Sequence, residues 1–189
     1  MSASKECWWI FTGSRENMCI KCFNNLPTFY YQGEEYIVWQ NDNFCRVGFS
    51  KIPKIGNKEI NKNVMTKDEI KKAKAKPLFV ENNFNVCLVD KQKNKTYVFP
   101  IEQGYDYDGA SINRLLWRVI GSKENIEFKV AALIHDKLCE NHHYVNNDRY
   151  FADKVFERLL EIGDVGCFRR WLMFHSVDNF QKFCRWEKC

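Results

Sequence analysis

The stretch of sequence that decides the fold of this chain is Val130-Ala131-Ala132-Leu133-Ile134-His135-Asp136, an apolar run that ends in an adjacent base and acid. Its apolar side chains recur at three- and four-residue spacing, which predicts a helix over residues 125–141 with one buried face. His135 follows Ala131 by four residues and therefore lies at the edge of that face. Asp136 lies ~100° further round the helix, so the two side chains must face different partners. A base and a metal ligand that share one cleft would have this spacing.

A second acid lies on the next predicted helix, over residues 148–162. Asp153 interrupts the margin of the apolar face of that helix, and a carboxylate in such a position needs a partner. One candidate is Arg149, four residues earlier on the same helix, which would make a surface ion pair. The other candidate is His135 across an antiparallel helix pair. In that case Asp153 fixes the imidazole tautomer and leaves the second ring nitrogen as a base.

The residues before the helices form a tight polar loop, Gly104-Tyr105-Asp106-Tyr107-Asp108-Gly109-Ala110-Ser111. Its glycines and small residues allow backbone carbonyls to turn inward. Carbonyl oxygens together with one carboxylate are the ligands that calcium takes. The alternative is an ordinary tight turn in which aspartate is a turn-forming residue.

The remaining pattern predicts an α+β fold with a β-rich N-terminal half and a hairpin that leads into a helical C-terminal half. Alternation and turn residues predict strands at residues 28–31, 35–39, 44–49, 84–89 and 96–99. Periodicity and capping residues predict further helices at residues 67–76, 113–120 and 167–186. We expect a cysteine- and aromatic-rich β region with a Lys-rich helix over 1–76, and a hairpin with a helical His/Asp domain over 77–189. The two could also form one continuous domain.

Composition bounds the class of protein. The chain has 189 residues, of which 45% are hydrophobic and 15% aromatic, as in an ordered protein. Its formal net charge of +5 gives no strong nucleic-acid signal. We recognise neither a signal peptide nor an apolar run of transmembrane length. We therefore expect its nine cysteines to be largely reduced thiols, in the cytoplasm of a host cell or in a virion.

Four of the cysteines offer a second metal site. Cys19 and Cys22 have the C-x-x-C spacing used for zinc, and Cys7 and Cys45 could complete four thiolates. Buried free thiols are the alternative interpretation.

The order Gly-Tyr-x-Tyr-x-Gly, then His-Asp on a helix, then Ala-Asp on the next helix resembles phospholipase A2 domains, and among them the short version in parvovirus capsid proteins. The resemblance implies His135 as the base that activates the attacking water and Asp153 as the residue that orients His135. It also implies a calcium ion held by Asp136 and by the carbonyl groups of Tyr107, Gly109 and Ser111. The chain departs from that family at Cys139, where a tyrosine is usual, and at Ser111, where the loop ends in glycine.

The same stretch also resembles a phage- and prophage-associated family of unassigned function, domain of unknown function 1353. The family pattern is Asp-Gly-Ala-Ser, His-Asp and Arg-x-x-Ala-Asp-x-x-Phe. Roughly residues 80–180 match it, through Asp108 to Ser111, His135-Asp136, Arg149, Ala152-Asp153 and Phe156. This resemblance implies no activity.

The pattern thus favours a metal-assisted hydrolase, plausibly of lipid esters, that meets a lipid or membrane surface. Calcium is the expected cofactor. In a zinc alternative, Asp108 joins His135, Asp136 and Asp153 as a mixed carboxylate–imidazole site. The rival hypothesis is a non-enzymatic phage or virion component whose His and Asp residues form a buried structural network. A protein that binds a host factor through its N-terminal half is a third.

Overall fold

A computed structural model describes residues 26–108, 126–162 and 166–184 of the chain. The predicted helix at residues 113–120 lies outside these residues. So do five of the predicted site residues, namely Cys7, Cys19, Cys22, Gly109 and Ser111.

The N-terminal half is built on a five-stranded antiparallel sheet with the order β1-β2-β3-β6-β7. Its strands are β1 (Thr28–Tyr31), β2 (Glu34–Asn41), β3 (Cys45–Phe49), β6 (Phe84–Asp90) and β7 (Lys95–Ile101). The β6–β7 hairpin pairs Phe84 with Ile101 and Asp90 with Lys95. It closes because the Asp90 carboxylate accepts from two N–H groups of the turn and Asn94 adopts a positive φ of 50°. Since β3 pairs with β6, this sheet runs across the predicted boundary at residue 76.

A second sheet has three short strands in the order β4-β5-β8. They are β4 (Ile55–Asn57), β5 (Leu78–Val80) and β8 (Asp106–Tyr107). None of the three is predicted from the sequence, because strands of two or three residues are too short to show an alternating pattern. The start of the polar loop is therefore a strand that pairs with β5.

The helices are α1 (Lys67–Ala75), α2 (Ile126–Glu140), α3 (Arg149–Ile162) and α4 (Cys167–Cys184), with a 3₁₀ helix at His142–Val145 between α2 and α3. Helix α1 begins with the predicted capping box, in which Thr66 and Glu69 each accept from the other's backbone N–H. Asp148 directly precedes helix α3, and its carboxylate accepts from the Phe151 N–H at 3.1 Å.

Helices α2 and α3 pack together, and aromatic rings join them to the sheet. Phe151 of α3 lies 5.8 Å from Phe44 and 5.6 Å from Tyr97, measured between ring centroids. Phe99 of β7 stacks on Tyr144 at 5.0 Å. These contacts confirm the predicted α+β fold. Within the described residues, no helix is long and apolar enough to cross a membrane.

Candidate functional site

The site centres on a hydrogen bond between a histidine and an aspartate on facing helices. His135 Nε2 of α2 lies 2.9 Å from Asp153 Oδ1 of α3. The imidazole is 3 % exposed and the carboxylate is fully buried, and the ring of Phe156 lies 5.0 Å from the imidazole ring. Both residues lie at the edge of their helix's apolar face, so packing of those faces brings them into contact away from water.

The second oxygen of Asp153 is also bonded. Arg149 donates to Asp153 Oδ2 at 2.9 Å and also pairs with Asp178 of α4. Both partners that the sequence left open for Asp153 are therefore present at once. The resulting chain of charge-assisted hydrogen bonds joins three helices. The sequence analysis missed Asp178, because it lies 29 residues from Arg149 and no motif links the two.

The hydrogen bond fixes the roles of the two imidazole nitrogens. An ionised carboxylate only accepts hydrogen bonds, so a neutral His135 carries its proton on Nε2 and keeps a lone pair on Nδ1. Nδ1 lies 3.7 Å from the sulfur of Cys139, one turn later on α2. The geometry therefore leaves Nδ1 as the basic nitrogen of the site.

Asp136 faces in a different direction, toward the strand before the predicted calcium loop. The pKa of the Tyr107 hydroxyl is raised, first by burial and then by the charge of Asp136. The same hydroxyl donates to the Lys129 carbonyl at 3.1 Å, which anchors β8 on α2. His135 and Asp136 thus face different partners on two sides of α2, as their adjacent positions on a helix require.

The described residues fit a cation only in part. Asp136 and Asp108 are half-buried carboxylates. Tyr107 lies opposite Leu78 in the β5–β8 ladder. The Val80 N–H donates to the Tyr105 carbonyl. Every second pair of opposite residues in an antiparallel ladder is hydrogen-bonded, so the Tyr107 carbonyl is directed to the Leu78 N–H. One lone pair of that carbonyl remains for a cation.

Two further observations concern the metal predictions. Across the described ranges, no three His, Cys, Asp or Glu side chains are grouped to hold a metal. Cys45 is buried in the sheet core, where burial, followed by the charge of Asp42, raises the pKa of its thiol to about 12. The calcium site and the four-cysteine zinc site remain predictions, because several of their members lie outside the described residues.

Charged and aromatic side chains surround the site on the side of β8. Tyr105 donates to Glu140 at 2.7 Å, and Lys137 lies 4.6 Å above the Tyr105 ring while it pairs with Glu102 at 3.1 Å. Asp106 pairs at 2.5 Å with Lys58, which directly follows β4. The contacts of Tyr105 and Lys137 hold the loop start against α2, and the Asp106–Lys58 pair joins it to the end of β4.

Comparison with known proteins gives one match. A family model described as "Protein of unknown function (DUF1353)" matches residues 78–177, which include His135, Arg149 and Asp153. We found no significant match among curated proteins or among solved structures. Because the matched residues make up more than half of the chain, the protein belongs to the DUF1353 family.

Proposed function

We propose that this protein is a hydrolase of esters in which His135 is the general base and Asp153 positions it. The observation that carries the proposal is the buried pair of hydrogen bonds on Asp153, one from His135 Nε2 at 2.9 Å and one from Arg149 at 2.9 Å. Such a pair fixes the imidazole ring and its tautomer and keeps Nδ1 basic. That is the arrangement required of a base that activates water.

The proposed reaction uses the charges around Asp153. Nδ1 takes a proton from a water molecule as the water attacks the ester carbonyl, and it returns that proton to the leaving alkoxide. Arg149 carries one positive charge against the two negative charges of Asp153 and Asp178, which leaves the group at −1. An imidazolium at His135 brings the sum to zero. The network therefore stabilises the charge that forms during the reaction.

A divalent cation is the proposed cofactor, with calcium first and zinc as the alternative. Asp136 would hold it, and Asp108, directly after β8, is the second carboxylate on offer. A bound cation supplies positive charge for the oxyanion of the tetrahedral intermediate. Phospholipid esters are the proposed substrate class, by the resemblance to phospholipase A2 domains, and phage or viral particles are the proposed setting.

A second candidate function is a structural one in a phage or virion component. The 3 % exposure of His135 and the complete burial of Asp153 favour it, because a substrate must reach a catalytic base. In this role the network would lock α2, α3 and α4 in one arrangement.

The test is hydrolysis of a p-nitrophenyl ester and of phosphatidylcholine vesicles, with and without calcium. We expect His135→Ala to lower the rate by roughly 100-fold or more. His143→Ala is the matched control, since His143 lies in the 3₁₀ helix and contacts Tyr144, and we expect it to leave the rate unchanged. Folding of both variants would be checked by circular dichroism. Absence of hydrolysis by the wild type on either substrate, or equal rates for His135→Ala and wild type, would contradict the proposal.

A further inference from the structure

The proposed hydrolysis leaves one chemical group of the site unused, the thiol of Cys139. Its sulfur lies 3.7 Å from Nδ1 and 3.6 Å from Nε2 of His135. Residues four apart share one side of a helix, so α2 itself holds the thiol against the imidazole. The sulfur is nearly equidistant from the two ring nitrogens and therefore lies over the imidazole ring, while Asp153 on α3 binds the Nε2 edge of that ring.

We propose that Cys139 is a nucleophile that His135 activates, so that Cys139, His135 and Asp153 form a Cys–His–Asp triad spanning α2 and α3. A thiol beside a base is the usual arrangement for covalent catalysis by cysteine, and a third group that orients the base completes it. The group that it would take is a small acyl group from an ester or thioester. This inference deepens the proposed function, and it rests on that function only for turnover.

The other described cysteines show why Cys139 is singled out. Of the four free cysteines in the described part of the chain, Cys139 alone contacts an imidazole. Cys87 is buried in the sheet, and burial raises the pKa of its thiol to about 12. Cys167 is exposed at the start of α4. The reactivities of Cys87, Cys167 and Cys139 therefore allow the effects of burial, exposure and an adjacent base to be compared.

Burial limits the size of the acyl group. Cys139 is 7 % exposed, so the acyl group that reaches the sulfur must be small. An acetyl group is the smallest ester acyl group that tests the site.

The proposed chemistry has two steps. The thiol proton passes to Nδ1 of His135 once a rotation of the thiol or the imidazole brings the sulfur into the ring plane, and the sulfur attacks the ester carbonyl. A carbon–sulfur bond forms, the carbon–oxygen bond breaks, and the leaving alkoxide takes the proton from His135 as an alcohol. Water then attacks the thioester with His135 as base, which releases the acid and restores the thiol.

The experiment exposes the full chain to p-nitrophenyl acetate and maps acetylated cysteines by mass spectrometry over time. We expect Cys139 to be acetylated about 10-fold faster than the exposed Cys167, and His135→Gln to slow Cys139 by roughly 100-fold. Cys87 is the matched buried control and should stay unmodified. The wild-type ratio of Cys139 to Cys167 decides the question even if the His135 variant fails to fold.

Acetylation of Cys139 no faster than that of Cys87, or at a rate independent of His135, would overturn the inference. So would full ester turnover by Cys139→Ala, which would leave the proposed function intact with water as the direct nucleophile. Acetylated Cys139 without turnover would support the triad and refute the hydrolase.

Discussion

The core face of the five-stranded sheet and the contact between α2 and α3 belong to one hydrophobic core, but only the helix contact also buries an imidazole and a carboxylate. The sheet core contains tilted and edge-on aromatic contacts, such as Trp39 with Phe49 at 5.3 Å and Phe49 with Phe84 at 5.5 Å. The helix pair buries an imidazole and a carboxylate, His135 and Asp153. Burial of apolar rings stabilises a fold directly. Burial of charge gives no such gain, because desolvation offsets most of the attraction.

This difference bears on the role of the buried polar residues between the helices. The sheet core is accounted for by stability alone. The helix pair would be as stable, or more so, with apolar residues at the same positions. A network of charges that the fold does not need is therefore expected to serve chemistry or specificity.

The largest effect on stability is expected in the sheet. Phe49→Ala removes a fully buried ring that contacts Trp39 and Phe84, and we expect a loss of about 3–5 kcal/mol in the free energy of unfolding. Urea unfolding followed by circular dichroism measures it. Acetylation of Cys139 in the folded fraction should be unchanged, since no catalytic group is altered. Loss of that reactivity would show that the two regions of the core are coupled.

A somewhat smaller loss is expected when one side of the buried network is broken. Asp153→Asn keeps the shape of the side chain but removes the charge that faces His135 and Arg149, and we expect a loss of about 3 kcal/mol. The matched control is Asp178→Asn, which lies at the outer end of the same network and should cost less. Unfolding by urea compares the two. Equal losses in the free energy of unfolding would mean that the buried Asp153 contributes no more to stability than the outer Asp178.

A charge should be far less tolerated in the sheet than between the helices. Burial, the largest cause, raises the pKa of the Cys87 thiol from 9.0 to about 12. The folded state therefore favours the protonated thiol, and its stabilising contribution is complete below pH 9 and is lost as the pH rises toward 12. Each pH unit in that window should lower the free energy of unfolding by roughly 1.4 kcal/mol relative to Cys87→Ala. Parallel pH curves for wild type and Cys87→Ala would contradict this assignment.

The smallest effect is expected at the surface contact that joins the two regions. Asp148 caps α3 through the Phe151 N–H and also pairs with Lys93 from the hairpin turn. We expect Asp148→Ala to cost about 1 kcal/mol through the lost cap and Lys93→Ala to cost less, because Lys93 is half exposed. Thermal unfolding of both variants checks the order. A larger loss for Lys93→Ala would show that the ion pair, and not the cap, holds the junction.

The sequence predicted the parts of this comparison that depend on local pattern. The capping box at Thr66, the bounds of α2 and α3, and the position of His135 at the edge of an apolar face all follow from spacing of side chains. The second sheet did not follow, since β8 has two residues and is defined by its partner β5. The sequence also did not predict the contact of Asp178 with Arg149, because only the packing of α4 on α3 brings the two together.

The central claim is that the His135–Asp153 pair serves chemistry and not the stability of the fold. The most direct measurement is the free energy of unfolding of the double variant His135→Leu/Asp153→Leu, in which Arg149 keeps its ion pair with Asp178. We expect a value equal to or above that of the wild type, because a buried carboxylate and its imidazole partner are replaced by apolar side chains. A loss of about 3 kcal/mol or more, as large as that of Asp153→Asn, would contradict the claim and show that the pair supports the fold.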